Sequence, residues 1–113
     1  KSFMDHFFYV GRGYLANKPA AAVVSCRRGG ATAALEQLSQ YCQNNNMPII
    51  TAQYWNMVHG TKPEEVAQDE EGTLTMRTLG SNLAWILQCI AAGQEAGACI
   101  PQREPQKRTN FIR

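Results

Sequence analysis

The feature that most constrains the fold is a strand, a helix and a second strand within about thirty residues. Ala20 to Ser25 is a short continuous apolar run bounded by turn residues, which is typical of a strand covered on both faces. Ala31 to Asn44 repeats its apolar residues at a helical period, and Pro48 to Ala52 is a second, β-branched run. The pattern predicts the right-handed crossover unit of a parallel α/β sheet.

Before the first strand, residues 1–8 carry phenylalanine and methionine on one face and predict an amphipathic helix. Gly11, Gly13 and Pro19 make the stretch from Val10 to Pro19 a predicted loop. Because the amphipathic pattern starts at the first residues, the chain is expected to begin inside an element.

After the second strand, Tyr54 to Gly60 is predicted to be a polar and aromatic loop. Thr61 to Glu64 matches a capping box with Pro63 at the first helical position, and it opens an acidic segment expected to be solvated. Apolar residues at helical spacing predict a long helix from Thr73 to Ala92, ended by Gly93. A basic tail without periodicity follows.

Two parallel strands do not make a stable doubly wound sheet, because their open edges leave backbone groups unpaired and most helix faces lack a partner. About three further strands are expected outside this sequence. The chain is thus expected to be a piece of a larger domain.

Composition excludes several classes of protein. The net charge is only +2, and it is concentrated in the tail, which argues against nucleic acid as a partner. The apolar runs are shorter than the roughly 20 residues that cross a bilayer. The four cysteines have wide, irregular spacing and are expected to be free thiols in a reducing cytoplasm, with no metal site. They are Cys26, Cys42, Cys89 and Cys99.

The turn after the first strand is the candidate ligand site, because open α/β sheets bind ligands beyond the carboxyl ends of their strands. It comprises Ser25, Cys26, Arg27, Arg28, Gly29 and Gly30. The glycines allow a flat ligand to approach the backbone, and the arginines add positive charge that would favour a reduced, anionic flavin. A plain strand-to-helix connection with solvated arginines is the alternative.

Four segments resemble the NADPH-dependent FMN reductase and iron-sulfur-flavoprotein-like group. They are Lys1-Ser2-Phe3-Met4-Asp5-His6-Phe7, the run from Leu15 to Ser25, Gly29-Gly30 with its helix, and Trp55-Asn56-Met57-Val58-His59-Gly60. The resemblance implies a flavodoxin-like doubly wound parallel sheet in three α/β/α layers, of which this chain holds only the C-terminal half. Residues 1–97 would be that part of one domain, and residues 98–113 a basic C-terminal tail. The family's phosphate-binding loop would lie upstream of Lys1.

By the same resemblance, the turn from Ser25 to Gly30 faces the isoalloxazine ring of FMN, with NAD(P)H as co-substrate. The implied enzyme passes a hydride from NAD(P)H to the flavin and electrons on to a small acceptor, such as a flavin, a quinone or another electron-poor aromatic. It is expected to be a homodimer or homotetramer. No catalytic side chain is assigned, because the hydride chemistry belongs to the cofactor. An electron carrier that serves a protein partner without NAD(P)H turnover is the alternative function, and an unliganded structural module is a third.

Trp55 and His59 follow the second predicted strand at the same edge and are further candidates for cofactor binding. Trp55 would cover the flavin or the nicotinamide, or pack at a dimer interface, and His59 would be a proton donor or a surface loop histidine. Asp5 and His6 are expected to brace a helix interface, and Cys26 is expected to be a small buried turn residue or a redox sensor.

Overall fold

The computed structural model describes residues 1–112 and leaves Arg113 of the predicted tail outside that range. Its elements, in chain order, are α1 Ser2–Val10, α2 Arg12–Leu15, β1 Val24–Cys26, α3 Ala31–Asn44, β2 Met57–His59, α4 Pro63–Gln68 and α5 Glu70–Glu95. None of these helices, in the part of the chain that the structure describes, is long and apolar enough to cross a membrane.

The core lies between α3 and a two-stranded parallel sheet. β1 pairs with β2, with Val24 opposite Met57 and Cys26 opposite His59. Ala31, Leu35 and Met57 form the buried cluster, against which Ala22, Val24 and Cys26 pack. The predicted strand, helix and parallel strand are therefore present, and the helix from Ala31 to Asn44 has the predicted bounds.

The second strand does not lie where the sequence predicted it. Ile49 makes an isolated parallel bridge to Ala20, whereas the strand itself is Met57–His59, inside the predicted loop from Tyr54 to Gly60. Ala20 lies opposite Ile49, 29 positions later, and Val24 lies opposite Met57, 33 positions later. Between these two pairs the later segment therefore has four more residues than the earlier one, and it leaves the ladder there. Tyr54 and Trp55 lie in this excursion and are about half exposed, while Met57 is buried.

The first strand is also shorter than predicted. Regular pairing covers Val24–Cys26 rather than Ala20 to Ser25, because the excursion removes the partners of the intervening residues. The side-chain amide of Asn56 partly replaces the ladder there by donating to the carbonyl of Ala22 at 3.1 Å.

The helix predicted at residues 1–8 is confirmed as α1, but the predicted loop from Val10 to Pro19 contains the short helix α2. The Tyr41 hydroxyl of α3 donates a hydrogen bond to the Asp5 carboxylate, and the Phe8 ring stacks on Tyr41 with centroids 5.1 Å apart. Asp5 thus braces a helix interface, through a tyrosine. Phe3 and Phe7 of the same helix remain largely exposed.

The acidic segment divides into two helices. Pro63 occupies the first turn of α4 as predicted, but the cap residue is Lys62, and the acid that reaches back is Glu65, whose carboxylate accepts from the Lys62 backbone N–H at 3.2 Å. Asp69 separates α4 from α5 and accepts from the Gly72 backbone N–H at 2.9 Å, so α5 begins at Glu70 rather than Thr73.

The long helix also ends later than predicted. It continues through Gly93 to Glu95, and Gly97 provides the left-handed turn with φ of +91°. The Ala98 backbone N–H donates to the Gly93 carbonyl at 2.8 Å, which brings the chain back over the last turn of α5. Within the predicted apolar stripe, Leu79 is buried whereas Ile90 is 38% exposed.

The two edges of the sheet differ. The outer edge of β2 is covered by Asp69, which accepts from the His59 backbone N–H at 2.8 Å. On β1, Val24 and Cys26 bond across to the β2 side, so Ser25 directs its backbone groups the other way. No strand among residues 1–112 pairs on that side. A parallel α/β arrangement is therefore present, as part of a sheet with one open edge.

Candidate functional site

The turn that follows β1 is exposed over nearly its whole length. Ser25 and the residues from Arg27 to Gly30 are exposed, and Cys26 is half-buried. Gly30 adopts the left-handed conformation with φ of +86°, which turns the chain directly into α3. A Cβ added at Gly29 or Gly30 would meet nothing within 4 Å, so the turn offers open space to a ligand.

The first turn of α3 lacks a side-chain cap. Gly30 precedes the helix, and no side chain accepts from its first amides. The Ala34 N–H already bonds to the Gly30 carbonyl, whereas the three preceding helical N–H groups have no intrahelical partner. Free amides and the positive end of the helix dipole make this end of α3 attractive to an electronegative group.

Arg27 and Arg28 add two positive charges beside these amides. Both side chains are exposed, and neither forms a salt bridge. Among residues 1–112, the single close contact between a basic side chain and a carboxylate joins His59 to Asp69. Solvated arginines that are not engaged elsewhere retain their capacity to bind an anion.

His59 is brought to the same edge as the turn. It is the last residue of β2 and lies opposite Cys26, the last residue of β1. Adjacent parallel strands lie about 4.8 Å apart, so the segments that follow them are neighbours. His59 is thus an exposed residue at the end of a strand, and Asp69 holds its backbone N–H. The interpretation of His59 as a surface residue is confirmed, but its assignment to a loop was wrong.

Trp55 and His59 both line a cavity of about 200 Å³ between β2, the start of α3 and the start of α5. Thr32, two residues after Gly30, is also part of its lining and connects the cavity to the turn. The other lining residues are Tyr54, Met57, Asp69, Glu71, Gly72 and Thr75. Sequence reasoning did not identify this cavity.

Asp69 is the functional candidate that the sequence prediction missed, because the acidic run was interpreted as a solvated helix start. Hydrogen bonds from the Gly72 N–H and from the His59 N–H hold the pKa of the Asp69 carboxyl below its ordinary value. The nearest approach of the His59 ring is 3.7 Å, from Nδ1 to Asp69 Oδ2. The available N-cap signal was an aspartate followed immediately by two glutamates.

Other parts of the chain do not join this site. An apolar cleft of about 610 Å³ lies near Pro19 and Pro48, at the opposite end of the strands, and is bordered by the second half of α5 and by Ile100. All four cysteines are free, and residues 1–112 contain no group of three acidic, histidine or cysteine side chains placed to hold a metal.

Comparison with known proteins identifies the class to which this fold and turn belong. The sequence model of the NADPH-dependent FMN reductase family matches residues 1–62, which include α1, β1, the turn, α3 and β2. The chain belongs to this family of oxidoreductases, whose members use FMN and NAD(P)H in general. Searches among curated proteins and among solved structures found no significant match.

Proposed function

We propose that this chain forms the ring-facing side of the FMN site in an NAD(P)H-dependent oxidoreductase that reduces a small acceptor, such as a flavin, a quinone or another electron-poor aromatic. The observation that carries the proposal is the turn from Ser25 to Gly30, with its exposed glycines, its two arginines and the uncapped start of α3. The family membership gives this turn its expected ligand.

The residues present fit the isoalloxazine ring of FMN on physical grounds. A flat ring needs backbone without intervening side chains, which Gly29 and Gly30 provide. Its electronegative edge needs donors, which the free amides at the start of α3 provide. When bound, FMN would supply the hydride-accepting and electron-transferring chemistry.

The side chains of the turn have an electrostatic role in this proposal. Arg27 and Arg28 would stabilise negative charge on the bound ring and so raise its tendency to accept electrons. Ser25 and Cys26 would contact the ring mainly through backbone at the strand end. Trp55 and His59 would lie beside the ring rather than hold it, since both line the adjacent cavity.

The same proposal assigns residues 1–97 to one flavodoxin-like domain and residues 98–113 to a basic tail. The open edge of β1 at Ser25 supports this assignment. Parallel sheets are normally larger and covered by helices on both faces, so a further strand would be expected to pair with this edge. We propose that further strands complete the three α/β/α layers there, and that the enzyme works as a homodimer or homotetramer.

The deciding experiment mixes the full-length, FMN-loaded protein with NADPH without oxygen. A reductase transfers the hydride of NADPH to the flavin and bleaches its absorbance in a single turnover, whereas an electron carrier leaves the flavin oxidised and overturns the NAD(P)H assignment. Replacing Arg27 and Arg28 by glutamine should slow the bleaching. The matched control removes two charges from the tail, through Arg103→Gln and Arg108→Gln, and should leave the rate unchanged.

A second experiment tests the turn itself in the 113-residue chain. FMN is titrated to tens of micromolar while flavin absorbance and tryptophan fluorescence are recorded. A saturable change that weakens in the Arg27→Gln, Arg28→Gln double variant supports ring binding by this turn. Unchanged spectra show that the turn is insufficient by itself and favour the structural module.

A further inference from the structure

We propose that Cys89 and Cys99 form a reactive dithiol site, which exchanges with low-molecular-weight disulfides of the glutathione type and closes into an internal disulfide. The site lies at the apolar cleft beside the second half of α5, at the opposite end of the strands from the flavin-facing turn. It does not rest on the proposed function, because neither cysteine belongs to the turn or lines the cavity beside it.

The two cysteines reach the same cleft from different segments. Cys89 lies on α5 and Cys99 on the segment after it, ten positions later, and both are exposed and line the cleft. Exposure matters because an attacking thiolate must reach a disulfide in solution. Cys42, by contrast, is buried, and this burial raises the pKa of its thiol and lowers its reactivity.

The chain reversal after α5 brings the two thiols towards each other. Gly97 has φ of +91°, and the Ala98 backbone N–H donates to the Gly93 carbonyl at 2.8 Å. A Cβ added at Gly93 would lie 3.6 Å from the Ala98 Cβ, so the returning segment lies directly beside this face of α5. Cys89 lies one helical turn before Gly93 on the same face, at about 6 Å. Cys99 directly follows Ala98, at about 3.8 Å between Cα atoms.

The returning segment can adjust so that the two sulfurs meet. A disulfide needs its two Cα atoms about 4.4–6.8 Å apart. Within residues 1–112, Ala98 is the last residue whose backbone bonds to α5, and no helix or strand follows Glu95. The Cys99 thiol donates to the Gly97 carbonyl at 3.5 Å and therefore stays near the reversal. Cys99 is thus held close to α5, and its segment has no regular secondary structure that would resist the movement.

The apolar walls of the cleft favour the closed form. Ile86 and Ile90 line the cleft from α5, and Ile100 and Pro101 line it from the returning segment. Ile100 is 63% exposed, so closure on α5 would remove apolar surface from water.

The reaction uses the small disulfide as its oxidant and balances without another co-reactant. One protein thiolate attacks a sulfur of the small disulfide, forms a mixed disulfide and releases one small thiol. The second protein thiolate attacks the protein sulfur of the mixed disulfide, forms the Cys89–Cys99 bond and releases the other small thiol. The two protons of the protein thiols end on the released thiols. The protein pair is oxidised by two electrons, and the small disulfide is reduced to two thiols.

The test treats the full-length protein with a small excess of oxidised glutathione at micromolar concentration, blocks the remaining thiols by alkylation and digests the product with trypsin. Cys89 and Cys99 fall together in the tryptic peptide 78–103, whereas Cys26 and Cys42 fall in other peptides. An internal disulfide lowers the mass of peptide 78–103 by two hydrogen atoms, and each mixed disulfide raises it by one glutathione. We expect the internal disulfide to exceed the glutathione adducts about tenfold, because the neighbouring thiol has an effective concentration in the millimolar range.

Two variants locate the pair. Cys99→Ser should trap the mixed disulfide on Cys89, because no second thiol resolves it. The matched control, Cys99→Ser with Gln102→Cys, keeps two thiols but moves one of them three positions along the chain, to a residue that does not line the cleft. We expect this control to close about fivefold more slowly because of the lost position at the cleft, since three extra residues change the loop-closure entropy little.

The same comparison in concentrated urea removes the fold, and there the parent and the control should close at equal rates. Two glutathione adducts on peptide 78–103 of the parent, unreacted thiols there, or equal closure of parent and control in buffer would overturn the proposal. A difference that persists in urea would assign the effect to the local sequence and overturn it as well. None of these outcomes depends on FMN, so the proposal stands or fails separately from the flavin site.

Discussion

The Asp69 carboxylate accepts from the His59 backbone N–H at 2.8 Å with one oxygen and from the Gly72 N–H at 2.9 Å with the other. One side chain therefore satisfies the outer edge of β2 and the first turn of α5. Because β2 also supplies His59 to the cavity that Trp55 lines, the geometry of that cavity depends on this bridge.

Replacing Asp69 by alanine should lower the free energy of unfolding by about 1–2 kcal/mol, since it removes a helix cap and leaves the His59 N–H without its acceptor. Asp69→Asn keeps one acceptor oxygen and should lose less. Urea denaturation followed by circular dichroism measures both. An alanine variant as stable as the parent would contradict the bridge.

The stability should depend on pH through the same carboxylate. Its folded-state pKa is depressed below 3.8 by hydrogen bonds from the Gly72 and His59 N–H groups, so its contribution is present above the unfolded-state pKa and is lost as the pH falls through the folded-state pKa. Urea midpoints between pH 6 and pH 2.5 should therefore decline less steeply in Asp69→Asn than in the parent. Parallel curves would show that Asp69 is not the responsible group.

The two glycines of the turn should respond differently to alanine. Gly30 has φ of +86°, so Gly30→Ala should cost about 1 kcal/mol of stability, although the added methyl meets no neighbour. Gly29 has neither a positive φ nor a close neighbour, and Gly29→Ala should be nearly neutral. Thermal unfolding of the Gly29→Ala and Gly30→Ala variants measures the difference in their stability. Equal stability of the two variants would contradict the left-handed conformation of Gly30.

Two glycines of α5 form a second matched pair. Gly72→Ala would bring its Cβ to 2.9 Å from a Val58 methyl and closer still to Asp69, and should destabilise the fold by about 1–3 kcal/mol. Gly80→Ala meets nothing within 4 Å and should add about 0.5–1 kcal/mol through helix propensity. Denaturation midpoints that move in the same direction would contradict the packing of α5 on β2.

Tyr41 should ionise at a higher pH than an ordinary tyrosine. Its hydrogen bond to Asp5 stabilises the protonated phenol, and desolvation and the Asp5 charge raise the pKa of Tyr41 further above 10.0. Alkaline titration at the phenolate absorbance should show one late tyrosine, and Asp5→Asn should remove the delay. Tyr9→Phe, a change on α1 outside this contact, should leave the late step in place.

The crossover was predictable because the apolar runs in and around α3 have a clear pattern. Ala31 and Leu35 of that pattern are buried against Met57 in the core cluster. The position of β2 was not predictable in the same way. Ile49 and Ile50 have higher strand propensity than Met57–His59, but pairing with Ala20 ends after one bridge. Met57 packs in the core cluster at its place in β2, and no local sequence pattern reports such a tertiary contact.

The candidate site was predictable only in part. Gly30 and the arginines could be placed at a strand end from the chain order, since a turn after a buried strand has few alternatives. The cavity joins Thr32, Trp55 and Asp69, which lie far apart in sequence and meet through packing of α3 and α5 on β2. A single sequence carries no record of such long-range contacts.

The four extra residues between the Ala20–Ile49 bridge and the Val24–Met57 pair have a consequence for the way this chain changes in evolution. The segment that contains Tyr54 and Trp55 is held at both ends by pairing with the first strand region. The entropic cost of closing such a loop rises only slowly with its length, so a change in the length of the segment costs little stability. Substitutions there alter the aromatic lining without displacing the core cluster. The residues that line the cavity and the residues that stabilise the core are thereby separated along the chain, and this segment is the natural place for selection, or an engineer, to diversify.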